Sequence, residues 1–96
     1  MILKERDTGE GLLVAVCDTD VLGETFETDE LTFTVTEEFY GGDEVDEDEI
    51  VNSLNRADVA NIVGADAVAL AVDAGFVDEA NVLELDSTRH AQFLRM

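Results

Sequence analysis

Cys17 and His90 are the only cysteine and the only histidine of this chain. A thiol beside an imidazole can act as a nucleophile and its base, because the base raises the thiolate fraction. No known local signature surrounds either residue, and nothing in the sequence requires them to be adjacent. The plain alternative is a buried core thiol and an edge-strand imidazole. Structural zinc needs four nitrogen or sulfur ligands, which these two residues cannot supply. The run Asp43-Glu44-Val45-Asp46-Glu47-Asp48-Glu49 could attract a hard cation. It lacks the loop spacing and the distal bidentate glutamate of a calcium hand, so it reads as a solvated helix start. Neither Gly9-Glu10-Gly11 nor Tyr40-Gly41-Gly42 completes a nucleotide fingerprint or a P-loop. No catalytic residue, metal or cofactor is predicted, and the balance leans away from an enzyme.

The cations are the remaining candidates. The chain has 24 Asp and Glu against 5 Lys and Arg, a net charge of −19. Residues 1–36 carry a net of −7, residues 37–55 carry eight acids and no base, and residues 56–96 carry −4. Ser87 to Met96 contains no acid but holds Arg89, His90, Gln92 and Arg95. On an alternating last strand His90, Gln92 and Leu94 point one way, while Ala91 and Phe93 point the other with Arg89 and Arg95. Lys4 and Arg6 join this set if the first and last strands are neighbours. The six residues are the candidate binding site, for an anion or RNA. Ordinary surface cations paired with nearby carboxylates are the competing reading.

A charge of −19 repels phosphate backbones and anionic lipid in dilute buffer, and it destabilises the compact state by self-repulsion. The Debye length is about 10 Å at 0.1 M salt and about 3 Å at 1 M, so concentrated salt removes most of that repulsion. Acidity spread along the whole chain therefore reads as adaptation to a salt-loaded cytoplasm, such as that of a halophilic archaeon. With 46% apolar residues, disorder is not expected. Residues 1–96 suit a single domain. One cysteine cannot form an intrachain disulfide, which favours a reducing compartment. Met1-Ile2-Leu3-Lys4-Glu5-Arg6-Asp7 has no signal-peptide core and no apolar run approaches a membrane span, so a soluble cytoplasmic protein is expected.

Elements must position these residues. Strands are predicted near 2–6, 12–17, 31–36, 82–86 and 89–95. The run Leu12–Cys17 does not alternate, which predicts cover on both faces. In Leu31–Thr36, Leu31, Phe33 and Val35 are expected to face the core. Asp18-Thr19-Asp20 offers a cap for one short turn. Asp46 or a neighbour can cap a helix whose first turn holds Glu47, Asp48 and Glu49, with Ile50, Val51, Leu54 and Ala57 at helical spacing. A helix pair is predicted at about 47–63 and 65–74, divided by Gly64. The second helix would bury Val63, Ala67, Leu70 and Ala74. The break Ile62-Val63-Gly64-Ala65 could suggest a backbone-touching helix pair of nucleic-acid binders, but Asp58 and Asp66 flank it and packing is favoured. The expected fold class is α+β: a small, mostly antiparallel sheet with the helix pair on one face.

Several segments carry a family resemblance. They are Phe39-Tyr40 with Gly42, Ala60-Asn61-Ile62-Val63-Gly64-Ala65-Asp66-Ala67-Val68, Ala74-Gly75-Phe76-Val77 and His90-Ala91-Gln92. In order and spacing they resemble the small archaeal family catalogued as domain of unknown function four-twenty-four. The resemblance spans nearly the whole chain, including the Cys17-Asp18 step. This sequence differs in its acidity and in having Thr88-Arg89 where a typical member has a proline before His-Ala-Gln. The resemblance implies an archaeal cytoplasmic α+β protein, here of haloarchaeal type, and carries no activity or catalytic residues with it. The leading functional expectation is a non-enzymatic binding or accessory module linked to RNA, a ribonucleoprotein or the translation machinery. The alternatives are a thiol enzyme using Cys17 and His90, and a homo-oligomeric scaffold.

Overall fold

Strands β1 (Ile2–Thr8) and β2 (Gly11–Cys17) pair as an antiparallel hairpin that turns at Gly9-Glu10. The computed structural model describes residues 1–95. After one 3-10 turn at Thr19–Val21, the chain forms a separate hairpin of β3 (Thr25–Glu27) and β4 (Thr32–Thr34). A short helix α1 (Glu37–Tyr40) follows, capped by Thr36 Oγ1, and β5 (Asp43–Glu44) returns to the edge of β1. Helix α2 (Glu47–Arg56), strand β6 (Val59–Val63) and helix α3 (Ala65–Asp73) come next. A second 3-10 turn at Glu79–Asn81 leads into the closing hairpin of β7 (Leu83–Leu85) and β8 (Thr88–Leu94). The main sheet runs β5-β1-β2-β6-β8-β7. Of its pairs only β2–β6 is parallel, so the architecture is α+β with a mostly antiparallel sheet. No helix among the described residues is long and apolar enough to cross a membrane.

Helix α2 starts where the sequence places it. Asp46 accepts from Glu49 N at 3.0 Å, and the acids of the first turn sit at the positive end of the helix dipole. It then ends early. The expected helix to residue 63 is instead helix to Arg56, a turn at Ala57-Asp58, and strand from Val59 to Val63. Val59, Ile62 and Val63 are β-branched and stiff at χ1, which favours the pleated surface. Pairing on both sides decides the matter: β6 lies between β2 and β8 and completes its hydrogen bonds with both. Gly64 therefore links a strand to a helix and does not divide two helices.

The sheet is covered on both faces. On one, α2 and α3 place Ile50, Leu54, Ala67, Val68 and Ala71 over Val14, Val16, Ala60, Ile62 and Ala91. On the other, Val21, Phe26, Val35 and Tyr40 lie over Ile2, Ala15, Cys17 and Val63. Burial of both sides of β2 follows its unbroken apolar run. The buried stripe of α3 is Ala67, Val68 and Ala71; Leu70 is half-buried, Ala74 is exposed, and Val63 belongs to β6. Leu31 is 41% exposed at the tip of the β3–β4 hairpin, correcting its expected core position, because the strand there is only three residues long. The last turn is Asp86-Ser87, one residue earlier than expected, with Asp86 in the left-handed region at φ 53°.

Candidate functional site

The registers place the sequence-derived residues on a grid. Across the face opposite α2 and α3, one row reads Ile2, Cys17, Val63, His90 and Leu83. The next row reads Lys4, Ala15, Asn61 and Gln92, and the third reads Arg6, Leu13, Val59 and Leu94. The β3–β4 hairpin, α1 and the first 3-10 turn cover Ile2, Cys17, Val63 and Ala15, and Phe33 packs against half-buried His90, while Leu83 at the end of the first row is exposed. The rest of the face is open: Leu13, Val59 and Asn61 are half-buried, Gln92 is exposed, and Leu94 is 68% exposed. Lys4 and Arg6 stand at one border, where Lys4 Nζ donates to the Glu38 carbonyl at 2.6 Å and Arg6 Nη2 to the same oxygen at 3.1 Å. Neither has a carboxylate at ion-pair distance among the described residues.

Lys4, Arg6 and Gln92 thus share a face, although β2 and β6 separate β1 from β8. The expected neighbourhood of first and last strands is not realised. Arg89 and Arg95 belong to the opposite face, as parity requires. Arg89 is held in ion pairs with Glu84 (2.8 Å) and Glu79, which raise its already high pKa. Arg95 donates from Nη1 to the Asn55 carbonyl at the end of α2, at 2.8 Å, and lies over the Phe93 ring at 5.3 Å. The six expected site residues do not form one patch. Leu13, Val59, Asn61 and Leu94 complete the open face; reading 47–63 as helix hides Val59 and Asn61, the β6 residues that join Leu13 on β2 to Leu94 on β8. The β-branched run after Arg56-Ala57-Asp58 was the available signal.

Cys17 and His90 occupy the same row, but Val63 stands between them on the intervening strand. Two strand spacings, about 10 Å between backbones, separate the pair. Cys17 is fully buried; burial and the neighbouring Asp18 push its thiol up to about 11. Burial lowers the pKa of His90, whose ring packs edge-on against Phe33 at 5.2 Å. The thiol should be about 100-fold less reactive at pH 8 than a free cysteine from thiolate fraction alone. Expected: no labelling by a thiol–disulfide reagent in the native state and one thiol per chain after denaturation. Rapid native labelling would contradict this placement.

His90 also gives a pH prediction. Its folded pKa lies below the ordinary 6.5, so the unfolded chain binds the proton more readily. Stability from this group is lost as pH falls from 6.5 toward the folded pKa. Wild type should therefore lose Tm relative to His90→Phe on acidification through that window. Parallel curves for the two proteins would show that burial of the imidazole contributes nothing.

Comparison with known proteins identifies the chain's relatives. The family described as "Protein of unknown function (DUF424)" matches residues 5–96. The chain belongs to this family. A crystal structure of an uncharacterized conserved protein from Methanopyrus kandleri is similar to this DUF424 chain at 27% identity and a TM-score of 0.80. The match covers 99% of this chain and 92% of that one. No curated protein matches.

A second feature of the DUF424 chain lies where parallel strands β2 and β6 end beside the N-terminus of α3. Such a place commonly receives an anion. Here the anion is internal: Asp18 Oδ2 accepts from Asp66 N at 3.0 Å and Oδ1 from Ala67 N at 2.8 Å. Asp18 is the buried carboxylate of the chain; burial raises its pKa, against the two backbone hydrogen bonds. It does not cap the local turn that the sequence suggested. The acidic run 43–49 is likewise dispersed. Asp46 caps α2, Glu44 accepts from Thr19 and the Met1 amino group, and the others are exposed. Asp43 and Glu49 line a polar groove of about 500 Å³ with Glu5 and Arg56. The hydroxyl of buried Ser53, and Arg56, hold the Glu5 carboxyl below its usual range. No group of three His, Cys, Asp or Glu side chains among the described residues is placed to hold a metal.

Proposed function

We propose that this DUF424 protein is a non-enzymatic binding module of a halophilic archaeal cytoplasm, docking an RNA-bearing particle of the translation machinery through its open sheet face. One observation carries the reading. In a chain of −19, Lys4 and Arg6 stand unpaired with carboxylates beside an uncovered row of Leu13, Val59 and Leu94. Arg56 and Arg89 are taken up by carboxylates and Arg95 by the Asn55 carbonyl and the Phe93 ring on the other face, which leaves Lys4 and Arg6 as the cations bordering the open face. At molar salt phosphate contacts are strongly weakened, so the apolar row must supply most of the affinity and the two cations its orientation. The row carries no aromatic platform for stacking bases, which favours a mixed ribonucleoprotein surface over free single-stranded RNA. The thiol-enzyme alternative lacks comparable support, since Val63 separates Cys17 from His90.

The experiment is capture of ribosomal particles from a native extract in molar potassium chloride. Wild type should retain them, and Lys4→Glu/Arg6→Glu should lose them. Arg89→Glu should matter little for capture, because that side chain is already committed to Glu79 and Glu84. Failure of wild type to retain any RNA or ribonucleoprotein would end the proposal.

A further inference from the structure

An open sheet ends in two edges, each presenting backbone N–H and C=O groups to which another strand can add. The two edges of this sheet are protected differently. β5 covers β1 only at Ile2 and Leu3, and the free edge beyond is Lys4-Glu5-Arg6-Asp7-Thr8. Dense charge of this kind blunts strand addition. At the opposite edge, β7 covers β8 only from Thr88 to His90. Beyond lies Ala91-Gln92-Phe93-Leu94, with no charge at all.

The hydrogen bonds show which groups of β8 are free. Gly64 N donates to Arg89 O, and Arg95 N donates to Asp58 O. Both bonds fit the ladder in which Ile62 faces Ala91 and Ala60 faces Phe93. Bonded pairs alternate along an antiparallel ladder, so Arg89, Ala91, Phe93 and Arg95 turn their backbone groups toward β6. His90, Gln92 and Leu94 turn theirs outward. His90 meets Leu83 of β7, whereas Gln92 and Leu94 have no backbone partner among the described residues. Leu94 is also the most exposed large apolar side chain among them.

We infer that this edge pairs antiparallel with the same edge of a second copy, Gln92 of one chain lying opposite Leu94 of the partner subunit. That register uses the outward groups of both residues on both chains and leaves the His90–Leu83 pairing intact. Each Leu94 then packs beside a glutamine stem instead of facing water. Charge selects a second copy at this edge. Two chains of −19 repel over most of their surfaces, but Ser87–Arg95 contains no carboxylate, so β8 itself brings none to the seam, and the nearby Glu79 and Glu84 are paired with Arg89. The two-fold axis stands perpendicular to the sheet, so the open faces of both copies lie on the same side. The inference goes beyond the ribonucleoprotein reading and does not depend on it.

Light scattering of the full chain in molar potassium chloride tests it without any ligand. The expected mass is twice the 10.4 kDa of one chain. Gln92→Pro removes an N–H that β6 does not use, and proline is tolerated at a strand edge. It should halve the mass while leaving the far-ultraviolet circular dichroism unchanged. Leu94→Lys, which adds a charge to the seam, gives the same reading if the proline variant does not fold. A monomeric wild type, or a dimer that persists in a folded variant, overturns the inference. A dimer that fails to retain ribosomal particles would leave this inference standing and reject only the proposed function.

Discussion

Gly64→Ala is expected to destabilise the protein by about 4 kcal/mol, lowering Tm by about 20 °C. Two independent costs combine. Gly64 has φ 117° and ψ 148°, a region essentially closed to residues with a Cβ, where strain costs about 1–3 kcal/mol. A Cβ there would also lie 2.4 Å from Asp18 Cγ and 2.5 Å from its Oδ2. That carboxylate is the buried cap of α3, and displacing it strands the Asp66 and Ala67 N–H groups at about 1–3 kcal/mol. Gly75→Ala is the control. Gly75 also has positive φ, at 85°, but an added Cβ there meets nothing within 4 Å. It should cost about 1 kcal/mol. Asp18→Ala removes the obstacle, so the double variant with Gly64→Ala should be less destabilised than the sum of the singles. Equal melts for Gly64→Ala and Gly75→Ala would refute this account of the strand–helix junction.

Dilution of potassium chloride from molar to about 0.1 M is expected to lower Tm of the wild type by about 15 °C, through roughly 3 kcal/mol of restored repulsion. The acids are placed for it. Glu37 and Glu38 on α1, Asp43 on β5 and Glu47, Asp48 and Glu49 on α2 are all exposed, and no cation interrupts residues 37–55. Glu44 is the exception in this segment: it pairs with the Met1 amino group at 2.6 Å, which together with Thr19 lowers its pKa. Neutralising Glu37, Glu38 and Asp43 together should recover part of the loss at low salt and change little at molar salt. The acids of the first turn of α2 are poor choices for that variant, since they also stabilise the helix end. A Tm independent of salt would remove the halophile reading and with it the explanation of the charge.

Local patterns made much of the fold legible. The unbroken apolar run of β2 announced burial on both faces, the acidic run before Ile50 announced the start of α2, and two short segments divided by a tight turn announced the closing hairpin of β7 and β8. β6 was not legible, since Val59-Ala60-Asn61-Ile62-Val63 is short, apolar and compatible with either period. Its strand state rests on hydrogen bonds to β2 and β8, partners distant in sequence. The site suffered from the same gap. Parity along β8 correctly divides Gln92 from Arg89 and Arg95. Strand order alone decides that Lys4 and Arg6 lie three strands from Gln92 across a shared face, with Ala15 and Leu13 of β2 and Asn61 and Val59 of β6 between.

By itself the sequence determined the α+β class, the extent of the apolar segments, the caps that start α2 and the concentration of charge, because each depends on neighbours a few residues away. Only the tertiary structure decided where α2 stops, that Asp18 caps a helix nearly fifty residues later (48 for Asp66, 49 for Ala67), that Cys17 and His90 are held apart, and which half of the sheet stays open. Those outcomes depend on which segments pair across the sheet, and pairing is a competition between distant partners that no local pattern records.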